Sequence, residues 1–167
     1  MAAKMKKRTV QQELKNLNAI EVTNFVSDKF LASEKRNLSS LNQCFQFMSA
    51  QDLRNYPELP VIRNYFNEIR SLLQKHLSDS ETIFFPAIRK NDSAAYDFSP
   101  LQDQLRSIHE ELSRLFLKIQ GLTNNYTPPA LASGWMKLCY ALLHDLEADA
   151  YSHLFVEESI LPLKLGA

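Results

Sequence analysis

The sequence predicts an all-α fold, an up-down-up-down four-helix bundle, on three observations. Glycine is scarce, with only 3 among 167 residues, whereas tight hairpins, dinucleotide-binding turns and phosphate loops all draw on glycine. Apolar residues recur at alternating steps of four and three along long segments, the seam of a left-handed bundle. Proline-containing clusters separate those segments where a helix cannot continue. Hydrophobic residues make up 45% and charged residues 23%, the composition of a globular chain rather than a disordered one. The length suits one domain over residues 1–167, with the bundle at about 19–165 behind a flexible basic start at 1–10.

The first helix is expected from Ala19 to Ala50 and stops before Asn55-Tyr-Pro-Glu-Leu-Pro60, where two prolines fall within four residues. The second runs from Val61 to Arg89, with the seam Ile62, Phe66, Ile69, Leu73, His76, Ser80 and Ile83. Residues 91–99 read as a polar loop, and Ser99-Pro100 as an N-cap with proline at the first helical position. The third helix continues to Leu122 through Leu105, His109, Leu112, Phe116 and Ile119. The turn cluster Thr123 to Pro129 ends it. The fourth spans Ala130 to Lys164, with Trp135, Leu138, Leu142, Leu146, Asp149, His153, Val156 or Glu157, and Ile160 along its inner face.

Charge and cysteine usage exclude several classes. Lysine plus arginine and aspartate plus glutamate both number 19, so the basic excess of a nucleic-acid binder is missing. Cys44 and Cys139 are distant in sequence and form no CxxC pair, which fits buried structural thiols rather than a disulfide framework or zinc knuckle. The basic start leads into Thr9-Val-Gln-Gln-Glu-Leu-Lys15 with no apolar signal core. No run of about 18 apolar residues suggests a membrane span. A reducing cytoplasm is the expected location.

The polar residues in the seam carry the functional interest. Of the four histidines, His76, His109 and His153 fall in the seams of three different helices. One histidine in a bundle core is either a hydrogen-bonded core group or a ligand. Three of them point to a metal, because neutral imidazole is its commonest ligand and bundle cores commonly hold such sites. Glu157 follows His153 by four residues, which places both side chains on one helix face one turn apart. Such a pair is also common on exposed helices, so its weight comes from His109 facing it across the bundle. Asp149, one turn before His153, is either an acceptor that orients the imidazole or a solvated charge. His144 lies about 180° from His153 around the helix and is assigned to the surface, as is Glu158.

Several chemistries lack their patterns. His109-Glu-Glu-Leu-Ser113 fails the HExxH pattern at its second histidine. There is no Glu-x-x-His pair of the ferritin-like di-iron type, no haem-attachment motif, no GxSxG and no glycine-rich phosphate loop.

His153-Leu-Phe-Val-Glu-Glu-Ser-Ile-Leu-Pro162 resembles the H-x-x-x-E-x-x-x-L-F-P motif of hemerythrin-like cation-binding domains. His76-Leu-Ser-Asp-Ser-Glu-Thr-Ile-Phe-Phe-Pro86 resembles a second copy. Leu122-Thr-Asn-Asn-Tyr-Thr-Pro-Pro129, then Trp135, then Leu146-Glu-Ala-Asp149, is similar to the repair-of-iron-centres family. The resemblance covers residues 20–165 and is strongest from His109 onward. It implies a hemerythrin-like bundle with a di-iron site and a role in restoring iron–sulfur clusters damaged by nitric oxide or oxidants. It places His76, His109, His153 and Glu157 at ligand positions. This chain departs from the family at two of them: Leu31 occupies the histidine position of the first helix, and Ser80 the glutamate position of the second. Leucine offers no lone pair, and a hydroxyl is a poor ligand beside imidazole or carboxylate. Glu34, one turn after Leu31, is either a substitute ligand or a surface charge.

Three functions follow as expectations. The first is a metal-binding, repair-type protein with a reduced site, holding iron (mono- or dinuclear) or zinc through His109, His153 and Glu157 with His76 beside them. Its partners would be the ion and damaged iron–sulfur proteins. The second is a metal-free hemerythrin-like scaffold serving as an interaction or sensor module. The third, a histidine phosphotransfer bundle using His144, is disfavoured by the neighbouring Asp145 and Glu147. No general acid–base pair or nucleophile marks a turnover enzyme, so reactive chemistry would belong to the metal.

Overall fold

A computed structural model describes residues 9–90 and 99–165, without the side chains of residues 99–101. Its described elements are helical throughout. Residues 9–14 are helical and bury Val10 and Leu14, so packing begins earlier than the basic start suggests. The capping box of Asn18 and Glu21 opens α1 (Ala19–Val26), in which the Asn18 side chain accepts from the Glu21 amide and Glu21 accepts from the Asn18 amide. A π-helical turn, Ser27–Leu31, leads without a break into α2 (Ala32–Gln46). That helix ends four residues before the expected limit, because Ser49 and Asp52 form a second capping box that starts the short α3 (Ala50–Asn55).

Next comes α4 (Leu59–Asp79), which carries Pro60 in its first turn, where a missing amide costs nothing. A second π-helical turn, Ser80–Phe84, joins it to α5 (Phe85–Arg89). The polar loop expected at 91–99 lies outside the described residues except for its last. The third long helix, α6 (Ser99–Leu122), is α-helical along its whole length. It ends where Asn124, Asn125 and Tyr126 adopt φ values of 47°, 55° and 59°. The hydroxyl of Thr123 bonds to the Ile119 carbonyl and accepts from the Tyr126 amide there. Ser133 caps α7 (Gly134–Phe155) by accepting from the Met136 amide, which sets the start later than Ala130. A third π-helical turn, Val156–Ile160, and α8 (Leu161–Leu165) complete the described chain.

Side-chain pairs fix the antiparallel order. α2 meets α4 through Arg70–Asn42, and the π-helical turn after α4 through Lys35–Glu81. α4 meets α6 through Gln104–Asp79 and Lys118 over the Tyr65 ring. α6 meets α7 through Gln120–Glu147, and α7 returns to α2 through Ser33–Asp149. This is the up-down-up-down bundle the sequence predicts. Cys44 and Cys139 are buried in its core, as expected.

Two seams differ from expectation. Along α4, Ile62, Phe66, Ile69, Leu73, His76 and Ser80 are buried, but Ile83 is exposed and Phe84 takes its place. The π-helical turn inserts one extra residue, so the apolar face resumes one position later. Along α7, Trp135 and Leu138 are exposed, while Met136, Cys139, Leu143, Leu146, Ala150, His153 and Glu157 are buried. These buried residues alternate strictly by three and four. The expected run from Leu138 through Leu142 to Leu146 takes two successive steps of four, and drifts about 40° per step off the core.

Candidate metal centre

Each of three helices changes pitch at the same level of the bundle, and the buried polar residues gather there. His76 comes from the last turn of α4, and Ser80 opens the π-helical turn after it. His153 comes from the last turn of α7, with Glu157 in the π-helical turn that follows. Glu34 lies in the first turn of α2, directly after the π-helical turn Ser27–Leu31. A π-helical turn widens the helix locally and re-aims side chains, and such turns recur at functional sites.

His76, His153 and Glu157 bring one ligand atom each within 4.8 Å of one another. His76 Nε2 is 2.9 Å from Glu157 Oε2, and His153 Nε2 is 3.0 Å from Glu157 Oε1. Despite these distances, neither Nε2 atom nor Glu157 Oε2 has a hydrogen-bond partner among the described residues. The ring nitrogens and the carboxylate are close but not aligned as donor and acceptor. Ser80 Oγ donates to Glu157 Oε1 at 3.1 Å. The far nitrogen of His153, Nδ1, lies 3.0 Å from Glu34 Oε1, and Glu34 Oε2 has no hydrogen-bond partner among the described residues. Phe30 stacks beside the His153 ring at 6.3 Å, nearly parallel.

Burial sets the electrostatics. Glu34 and His153 are 0% exposed, Glu157 1% and His76 3%. Among the described residues, the ion pairs of Glu34 and Glu157 are with histidines. Burial lowers the pKa of His153, but the charges of Glu157 and Glu34 outweigh it and push the value up to about 10. Burial raises the Glu157 carboxyl, yet His153 and His76 hold it well below the usual carboxylate range. Two carboxylates sunk in an apolar core need compensation, from protons on the imidazoles or from a cation. The unpartnered Nε2 atoms and the carboxylate oxygen make a donor set of two imidazoles and one carboxylate. That set fits iron(II) or zinc.

The other candidate residues fall elsewhere. His109, half-buried on α6, points its Nδ1 at Glu158 Oε2, 2.9 Å away. Glu158 is therefore paired with an imidazole rather than simply solvated. Asp149 accepts from Ser33 Oγ at 2.8 Å, and the carboxylate found at His153 Nδ1 is that of Glu34. Glu34 is thus a core group and not a surface charge. Leu31 is buried, and Glu81 pairs with Lys35 at the surface. His144 is exposed beside Asp145, as the sequence predicts. The anchoring role of Ser80 went unread in the sequence, although its place in the seam with His76 aims it at the same point. Among the described residues, no helix is long and apolar enough to cross a membrane.

Comparison with known proteins points to a cation-binding family. The family model described as the hemerythrin HHE cation binding domain matches residues 39–162. The iron-sulfur cluster repair protein YtfE of Escherichia coli O157:H7 is 24% identical over 161 residues, covering 95% of this chain and 71% of that protein. The iron-sulfur cluster repair protein ScdA of Staphylococcus haemolyticus (strain JCSC1435) is 21% identical over 151 residues, covering 89% and 68%. YtfE of Escherichia coli O81 (strain ED1a) is 30% identical over 106 residues, covering 63% of this chain and 47% of its own length.

Proposed function

The chain belongs to the hemerythrin family of HHE cation-binding domains, and from that premise we propose that it holds one divalent metal ion, iron in the first place, and acts in the repair of iron–sulfur clusters. His76, His153 and Glu157 are the proposed protein ligands, with Ser80 fixing the carboxylate. His109, paired with Glu158, is the proposed fourth ligand, joining when it leaves that partner. Zinc fits the same donors. The working context is a cytoplasm under nitrosative or oxidative stress, and the partners are proteins with damaged clusters.

The observation that carries this reading is the convergence of buried ring nitrogens and carboxylate oxygens within 4.8 Å, most of them without hydrogen-bond partners. The names of the relatives, iron-sulfur cluster repair proteins, supply the repair role. A reduced site follows from Leu31 and Ser80, because neither replaces the ligand found at its position in the resembling family. Bound iron would supply an open position for a small diatomic ligand. The protein's own part is to hold the ion away from bulk water.

Elemental analysis after anaerobic loading with Fe(II) tests the proposal. About one iron per chain is expected, abolished in H153A and E157A and weakened in H109A. Two irons per chain would overturn the reduced site. No metal under any loading would leave the bundle as a metal-free interaction or sensor module.

A further inference from the structure

We infer that Glu34 is a positioning residue for His153: its buried carboxylate holds the Nδ1 proton, so that Nε2 turns its lone pair toward an ion shared with His76 and Glu157. This rests on the metal-site reading above and adds a residue that binds no metal itself.

The geometry separates Glu34 from the ligands. Its Oε1 is 3.0 Å from His153 Nδ1, whereas Nε2 of the same ring faces Glu157. The two nitrogens leave the imidazole on diverging lines, so a group bonded to one lies across the ring from whatever the other holds. A histidine that binds metal through one nitrogen commonly donates through the other to a carboxylate, which fixes its tautomer and raises its basicity. Here that carboxylate is supplied by α2, while the ligands come from α4 and α7. Phe30 lies nearly parallel to the ring, with the ring centroids 6.3 Å apart.

Charge supports the assignment. Glu34 is 0% exposed, its other oxygen has no hydrogen-bond partner among the described residues, and it pairs with His153. With Glu157 it brings two negative charges into the core beside two imidazoles. A divalent cation balances them, and a neutral group in place of Glu34 would leave the centre one charge short.

Co(II) is the probe. Wild type and E34Q are loaded with Co(II), and affinity is read by competition with a chelator while the ligand-field spectrum reports the coordination number. E34Q is expected to bind about ten- to a hundredfold more weakly, with unchanged stoichiometry and coordination number. Binding as tight as wild type in folded E34Q overturns the role. So does a change of coordination number, which would make Glu34 a ligand. Nitrogen NMR of Zn(II)-loaded wild type needs no variant: a retained proton on His153 Nδ1 is expected, and metal on Nδ1 overturns the inference. A wild type that takes up neither ion overturns the metal-site reading and this inference with it.

Discussion

A glutamate and a histidine buried together make the protein's stability depend on pH. The folded-state pKa of His153 is raised, so its contribution is complete below the ordinary value of 6.5 and is lost as pH rises from there to about 10. Glu157 is shifted the other way, so its contribution holds above the carboxylate range and is lost only in acid. The melting temperature of the metal-free protein is therefore expected to peak at about pH 5 to 6.5 and to fall steadily toward pH 10. A melting temperature independent of pH over that range would contradict the pairing. At this scale the sequence was partly legible. His76, His153 and Glu157 announced themselves by type and spacing. Glu34 was ambiguous beside Ser33, Lys35 and Arg36, although it sits in the three-four seam that links Leu31, Leu38, Leu41 and Phe45.

The long helices are not uniform, and that departure decides which residues reach the centre. Propensity and periodicity locate an α-helix well, but a π-helical turn leaves no compositional mark. The apolar faces before Ser80 were therefore read in register, and Ile83 was misplaced by the one residue the turn adds. The same fact gives a test. Deleting the exposed Ile83 should let α4 run on as a regular helix, with Phe84 falling into the seam and the fold retained. The tightened turn would draw Ser80 away from Glu157, and Co(II) affinity should fall about ten- to a hundredfold. Wild-type affinity in the folded deletion variant would show that the wide turn has no bearing on the centre.

For the molecule as a whole, the bundle and its antiparallel order were legible because four amphipathic segments with short connections admit few arrangements. The composition of the centre was less so, since it depends on which of several buried polar groups face one another. The restoring experiment belongs here. Reinstating histidine at Leu31 and glutamate at Ser80 returns the donors of the resembling family. The double variant L31H/S80E should raise iron content from about one to about two per chain. Its metal-free form should melt lower than wild type, because an added buried carboxylate lacks a partner until metal arrives. Iron content unchanged in a folded double variant would place the limit on nuclearity elsewhere.

The two thiols bear on where electrons come from. Cys44 is 1% exposed and Cys139 0%, and burial raises both pKa values. A buried, protonated thiol is a poor nucleophile and a poor one-electron donor. Neither can hand reducing equivalents to a docked protein while the bundle stays closed. The rate at which these cysteines react with an alkylating reagent then becomes a clock for how often the bundle opens.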